Sequence, residues 1–313
     1  IEALDKEVGE LLSQLEAKKL LENTIIFFWS DHGGNLLRQK RAVGNSGLHV
    51  PLIIRYPNNY KAGTVDEGLV SLMDLGPTVL SLLNIQPPKH TDGRAFAGPY
   101  KKEARDYIFG SADRFDESTD MQRSVLDGRF VYIKNFMTEL PLIYRNKYRE
   151  QIPMNKKLIE LNEAGALQGD AAYIFMKTKL EEELYDLKTD PHEVHNLALN
   201  PAYKTKLVEL RTALSDWQRD IKDQGFTPES EIVKEFWPGM IQPTTANVKI
   251  QTNAKGCIQM SCATKGASIG YQTGTMAGKD RWLLYTDPIE ITPNQRLLAR
   301  AIRIGYKASN ITS

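Results

Sequence analysis

Asn23-Thr-Ile-Ile-Phe-Phe-Trp-Ser-Asp-His-Gly-Gly34, with Arg38-Gln-Lys40-Arg41 and then Gly47-Leu-His-Val-Pro-Leu-Ile-Ile-Arg-Tyr-Pro57, reads as two strands joined by a charged loop. Thr24 to Trp29 is apolar on both faces, which predicts a strand buried in a parallel sheet. Asp31 and His32 follow where the apolar run stops, just past the carboxyl end of that strand. Open α/β sheets place ligands there, and Gly33-Gly34 lets the backbone turn. Asp31 offers a hard oxygen, His32 a neutral nitrogen and Lys40 a compact positive charge, a set that suits a metal bound to an oxyanion. On residue types alone, a turn with a helix cap is an equal reading of Ser-Asp-His-Gly.

The wider pattern resembles the formylglycine-dependent (type I) sulfatases of the alkaline-phosphatase superfamily. Three further stretches are similar to the same family: Asp92-Gly-Arg-Ala-Phe96, Asp113-Arg114 with the segment from Asp120 to Asn135, and Glu183-Leu-Tyr-Asp-Leu-Lys-Thr-Asp-Pro-His-Glu-Val-His-Asn-Leu197. The resemblance implies an α/β fold holding part of an alkaline-phosphatase-like sheet, without its amino-terminal half. It implies sulfate ester hydrolysis with Asp31 and His32 on a metal ion, calcium by family habit with magnesium as the alternative. Lys40 would be catalytic, neutralising a sulfate oxygen. The nucleophile, a formylglycine made from Cys or Ser in a Cys/Ser-x-Pro-x-Arg segment, belongs to the half that is absent here. Cys257 and Cys262 lack the Pro and Arg of that context. On this reading, the chain alone gives no turnover, its partner is the missing half, and the enzyme is periplasmic or secreted. One departure is that many sulfatases have Asn where His32 stands, while His occurs in related phosphonate and phosphate ester hydrolases.

With 313 residues and a formal net charge of +1, the chain has core enough for two or three domains and no excess charge that points to nucleic acid. No apolar run approaches the ~20 residues that span a bilayer. The opening helix carries Leu4, Val8, Leu11, Leu12 and Leu15 on one stripe and leads into the strand, one αβ unit of a larger fold.

Residues 1–111 read as the carboxy-terminal part of a catalytic core, with a helix over Val70–Asn84 and one more strand over Tyr107–Ser111. Residues 112–225 read as an antiparallel α+β subdomain. Asp127-Gly128 predicts a hairpin, Glu183–Leu187 a further strand, and Leu207, Leu210, Leu214, Trp217 and Ile221 a closing helix stopped by Gly225. A Pro-rich linker over 226–246 leads to a small β-sandwich over 247–313 that resembles a chitobiase carboxy-terminal module. There Tyr271, Trp282 and Tyr285 fit a core better than a sugar-stacking platform. Cys257 and Cys262 are readable as a short disulfide or as two thiols.

A sulfated oligosaccharide or polysaccharide is the substrate the resemblance implies. His49, Asp113, Arg114 and Arg123 are the candidates to contact it, although a structural ion pair is the commoner role for such arginines. The alternatives are a non-catalytic sulfatase-like protein that binds sulfated glycan, or a phosphonate or phosphate ester hydrolase of the same superfamily.

Overall fold

The opening helix, α1 (Glu2–Ala17), forms where the stripe predicts it, yet buries none of its residues. The computed structural model describes residues 1–115, 118–274, 281–292 and 295–313. The strand β1 (Ile26–Trp29) follows, then the short helix α2 (Asn45–Leu48) and β2 (Leu52–Arg55). Here the structure corrects the sequence reading. β1 pairs antiparallel with β2, Phe27 opposite Ile54 and Trp29 opposite Leu52, and Trp29 is 46% and Ile53 62% exposed. A parallel return needs a crossover long enough to run back along the strand, usually a helix. The four-residue α2 is too short to serve, so the chain comes straight back.

Beyond β2, α3 (Leu75–Leu82) presents Asp74, Thr78 and Ser81 along one side, all buried. Each holds a backbone N–H of the segment that follows. Asp74 accepts from Arg94, Thr78 from Phe96 and Ser81 from Tyr100, so the Asp92-Gly-Arg-Ala-Phe96 motif is a strap tied along the helix. Arg105 completes the tie with two N–H donors to the Asp74 carboxylate at 2.9 and 2.5 Å. Burial opposes ionisation of Asp74, but Arg105 and the backbone donors outweigh it and hold the carboxyl below its ordinary value. A depressed carboxyl contributes stability above its unfolded pKa and loses it as pH falls through the folded one. Acid titration of unfolding is therefore expected to show an Asp74-dependent loss below about pH 4, and Asp74→Asn to flatten that limb. An unchanged acid limb in the variant would refute the assignment.

The hairpin and the added strand appear as expected. β3 (Ile108–Phe115), β4 (Ser118–Leu126), β5 (Phe130–Asn135) and, after α4 (Pro153–Glu163) and α5 (Asp170–Tyr173), β6 (Glu182–Asp186) form one antiparallel sheet in chain order. Asp127 closes the turn by accepting the N–H groups of Arg129 and Phe130, with Gly128 at φ 92°. The period of two divides the sheet. Phe130 and Tyr132 face α6 (Lys204–Asp220) through Leu207, Leu210 and Leu214, and Trp217 stacks on Phe109 at 4.8 Å. Val131 and Ile133 point the other way and pack with Val43, which belongs to the charged loop. One sheet thus carries the closing helix on one face and the loop of interest on the other. The helix ends earlier than Gly225 suggests: its C-cap is Ile221, and Lys222 takes the left-handed conformation at φ 54°.

The chain divides into two compact units, Ile1–Asp223 and Gln224–Ser313. In the second, α7 (Glu229–Phe236) forms inside the Pro-rich stretch. β7 (Val248–Thr252) pairs with β8 (Ile258–Cys262), and β9 (Ser268–Thr273) lies between β10 (Leu283–Leu284) and β11 (Leu297–Ile302). Tyr271 and Tyr285 pack against a core of Val248, Met260, Ile269, Ala299 and Ala301, and the Tyr285 hydroxyl accepts the Met260 N–H. These aromatics are core, as their spacing suggests. Pro288–Ile291 gives only a bridge, Ile289 to Ile258, and both cysteines are free thiols. Among the described residues no helix is long and apolar enough to cross a membrane.

Candidate functional site

The loop from Ser30 to His49 is folded back on itself by its own backbone. Gly33 N–H donates to the Gly47 carbonyl, Lys40 N–H to Gly34 and the Ser46 hydroxyl to Arg38. Two glycines are required, because a Cβ on Gly33 would meet the Ser46 carbonyl and one on Gly47 the Ala42 carbonyl. The Asp31-His32 pair and Lys40 therefore belong to one tight structure despite their separation in sequence.

At His32, Nδ1 lies 2.6 Å from the Gly33 carbonyl oxygen. A carbonyl only accepts, so Nδ1 is the donor in this contact, which in the tautomer that binds a metal leaves the Nε2 lone pair to the ligand. Nε2 stands 3.5 Å from Asp31 Oδ2, and the Asp31 side chain is 82% exposed. Two acceptors at that separation suit a shared cation. Ligands about 2.4 Å from a calcium-sized ion and at right angles stand about 3.4 Å apart. A Nδ1–H to a backbone carbonyl is also the arrangement that orients a metal-binding imidazole. Asp31 and His32 thus fit a divalent ion as one edge of its shell. Among the described residues no group of three or more His, Cys, Asp or Glu could hold a metal ion.

The loop is fixed by residues far along the chain. Arg38 donates through its two terminal nitrogens to the carbonyls of His192 and Glu193, both at 2.9 Å. Glu193 returns the contact, its carboxylate accepting Asn45 N–H at 2.8 Å. This glutamate is 3% exposed and adopts φ 54°, a left-handed conformation uncommon for a residue with a side chain. Burial raises its carboxyl pKa, against the lowering pull of the Asn45 donor and Arg38. Arg149 donates to the Lys40 carbonyl at 3.0 Å and Asn155 Nδ2 to the Asn35 carbonyl at 3.2 Å. Gly44 lies under Glu193, where an added Cβ would come within 2.7 and 2.9 Å of the two carboxylate oxygens. Gly44→Ala is accordingly expected to cost about 1–3 kcal/mol by overpacking, read as a lower urea midpoint at unchanged slope. An unaltered midpoint would mean that the Glu193 side chain yields freely.

The other candidates are spread out. His49 is exposed and ends α2, its N–H donating to the Asn45 carbonyl. Asp113 and Arg123 are not on the loop. They pair with each other at 2.7 Å across β3 and β4, and Arg123 also binds Asp223 at 2.7 and 2.8 Å. Arg123 is 2% exposed, and its guanidinium is taken up by these interior pairs. Arg114 sits at the bulge after Asp113 with φ 43°. The reading from sequence missed Glu193, Arg149, Asn155 and Tyr148. Glu193 lay inside a quoted motif; the other three stand in a stretch with no motif at all.

On this α/β scaffold an acid, an imidazole and a lysine share one loop beyond a strand. Residues 1–85 match the sulfatase family model. The chain is 45% identical over 309 residues to an ulvan-active sulfatase of Formosa agariphila, covering 98% of this chain and 52% of that protein. It is 28% identical to human N-sulphoglucosamine sulphohydrolase, covering 77% of this chain and 50% of that one. A solved 2-O GAG sulfatase superposes with a TM-score of 0.53 at 23% identity, over 71% of this chain and 42% of that chain, which shows the shared fold. The chain is thus similar to the sulfatases in sequence and in fold, and it spans about half the length of the curated relatives it matches.

Proposed function

We propose that this chain works within a polypeptide of full sulfatase length as a sulfuric ester hydrolase acting on a sulfated oligosaccharide or polysaccharide. The observation that carries the reading is the loop itself: His32 Nε2 and Asp31 converge, and Lys40 is folded onto the same turn. The relatives' names, ulvan-active sulfatase and N-sulphoglucosamine sulphohydrolase, support a carbohydrate substrate. Asp31 and His32 would hold a divalent ion, calcium or magnesium, with further ligands from the rest of the polypeptide. Such an ion would supply Lewis-acid polarisation of the sulfate oxygens, and a formylglycine in the rest of the polypeptide would supply the nucleophile. Lys40 binds a sulfate oxygen and offsets the charge that builds there as the ester bond breaks. A periplasmic or secreted location follows from the substrate class.

The test is sulfate release, followed by ion chromatography, from sulfated oligosaccharides by the full-length protein and by the 313-residue chain. Release by the former and none by the latter is expected. Turnover by the 313-residue chain alone would overturn the division of the site, and a full-length protein inert on every sulfated sugar would overturn the reading.

A further inference from the structure

Lys40 is in an unusual position for a surface lysine. Among the described residues it takes part in no ion pair. Its ammonium lies instead 4.8 Å from the ring centroid of Tyr148 and 3.5 Å from that residue's hydroxyl. The Arg41 guanidinium stands 5.6 Å from the same centroid. One aromatic ring thus has two cations within about 6 Å of its centroid, an arrangement that ring electrostatics favours and that like charges alone would oppose. Tyr148 nevertheless remains 48% exposed.

The ring is placed deliberately by its backbone. Asn146 Oδ1 accepts the N–H groups of Tyr148 and Arg149, and Arg149 binds the Lys40 carbonyl. Asn155 ties the Arg149 carbonyl to the Asn35 carbonyl through one amide nitrogen. Consecutive residues of this segment therefore grip the main chain and the side chain of Lys40. A lysine held by a ring keeps its charge for an incoming anion, whereas one held by a carboxylate would have it neutralised.

We propose that Tyr148 seats Lys40 for the sulfate group and forms a wall against which the sugar ring of the sulfated substrate packs. The proposal rests on the reading of Lys40 as the sulfate-binding cation. A sulfated saccharide offers both matching parts, an anion for the ammonium and a C–H face for the ring. Tyr148 is a positioning residue for Lys40 and a specificity residue for the sugar.

The experiment uses the full-length protein with Tyr148→Leu, Tyr148→Phe and Lys40→Ala, first confirmed to unfold at the wild-type temperature. Inorganic sulfate, bound in calorimetry or as a competitive inhibitor, probes the cation without the sugar. A sulfated disaccharide probes both. Tyr148→Leu is expected to weaken inorganic sulfate roughly two- to five-fold and to raise KM for the disaccharide about ten-fold. Tyr148→Phe keeps the ring and is expected to retain most of both. Should Tyr148→Leu match the wild type while Lys40→Ala loses sulfate, the role of Tyr148 falls and that of Lys40 stands. Should both variants bind sulfate as the wild type does, Lys40 is not the sulfate-binding cation and the proposal for Tyr148 falls with it.

Discussion

Lys40→Ala in the full-length protein is expected to lower kcat by about 10²–10³-fold while leaving thermal unfolding almost unmoved. The two effects separate because the side chain's contacts are few. Lys40 Nζ meets the Tyr148 ring and hydroxyl, at 4.8 and 3.5 Å, and neither contact is buried away from water. An exposed cation–π contact of this kind is worth about 0.5–1 kcal/mol, and the loop itself is fixed by the backbone of Lys40, which Ala retains. A charge placed where negative charge builds in a transition state is worth about 2.7–4 kcal/mol, so the catalytic term dominates. Turnover on a sulfated oligosaccharide, measured beside a melting curve, decides the matter. Equal losses in both would make Lys40 a structural residue, and no loss in turnover would remove it from the site.

The parts legible in the sequence were those with local signals. Asp127-Gly128 between alternating residues gave the hairpin, because the Asp127 side chain and the positive φ of Gly128 close the turn without outside help. Leu207, Leu210 and Leu214 gave the closing helix for the same reason, a period that needs only one apolar face beneath it. The sequence places Asp31, His32 and Lys40 on one loop, and the Gly33–Gly34 turn folds that loop back on itself. Where tertiary context decides, the sequence misleads. Thr24 to Trp29 has the composition of a doubly covered strand, yet pairing is set by what lies between strands, and residues 30–51 fold into a knot of turns and not a crossover helix. Arg123 shows the converse. An arginine on a strand beside a motif looks like a ligand for sulfate, and only the distant Asp223 reveals that its charge is already matched. Glu193 and Arg149 reach the loop from more than a hundred residues away, a relation no spacing rule expresses.

The buried arginine leads to the largest expected loss of stability. Arg123 donates two N–H groups to Asp223, one to Asp113 and one to the Gln122 carbonyl, and its side chain is 3% exposed against 7% for Asp223. Arg123→Met removes the two N–H groups that Arg123 gives the buried Asp223 carboxylate, while Gln218 Nε2 still donates to it at 2.9 Å. Breaking a buried pair in this way costs about 3–5 kcal/mol, because the carboxylate stays out of water and loses the arginine that balanced its charge. Asp113 is 27% exposed and can regain water, so Asp113→Asn is expected to cost far less. Exposed pairs such as Lys157 with Glu160, 67% and 49% exposed, are the contrast, worth about 0–1 kcal/mol. Combining Arg123→Met with Asp223→Leu removes the stranded charge and is expected to recover a large part of the loss, since apolar replacements of buried pairs are often neutral or better. Urea unfolding of the three variants measures this directly. If the double variant is no more stable than Arg123→Met, the loss comes from packing at Arg123 and not from the charge left on Asp223. If Arg123→Met itself unfolds with the wild type, the network between β3, β4 and the end of α6 carries no weight in the fold.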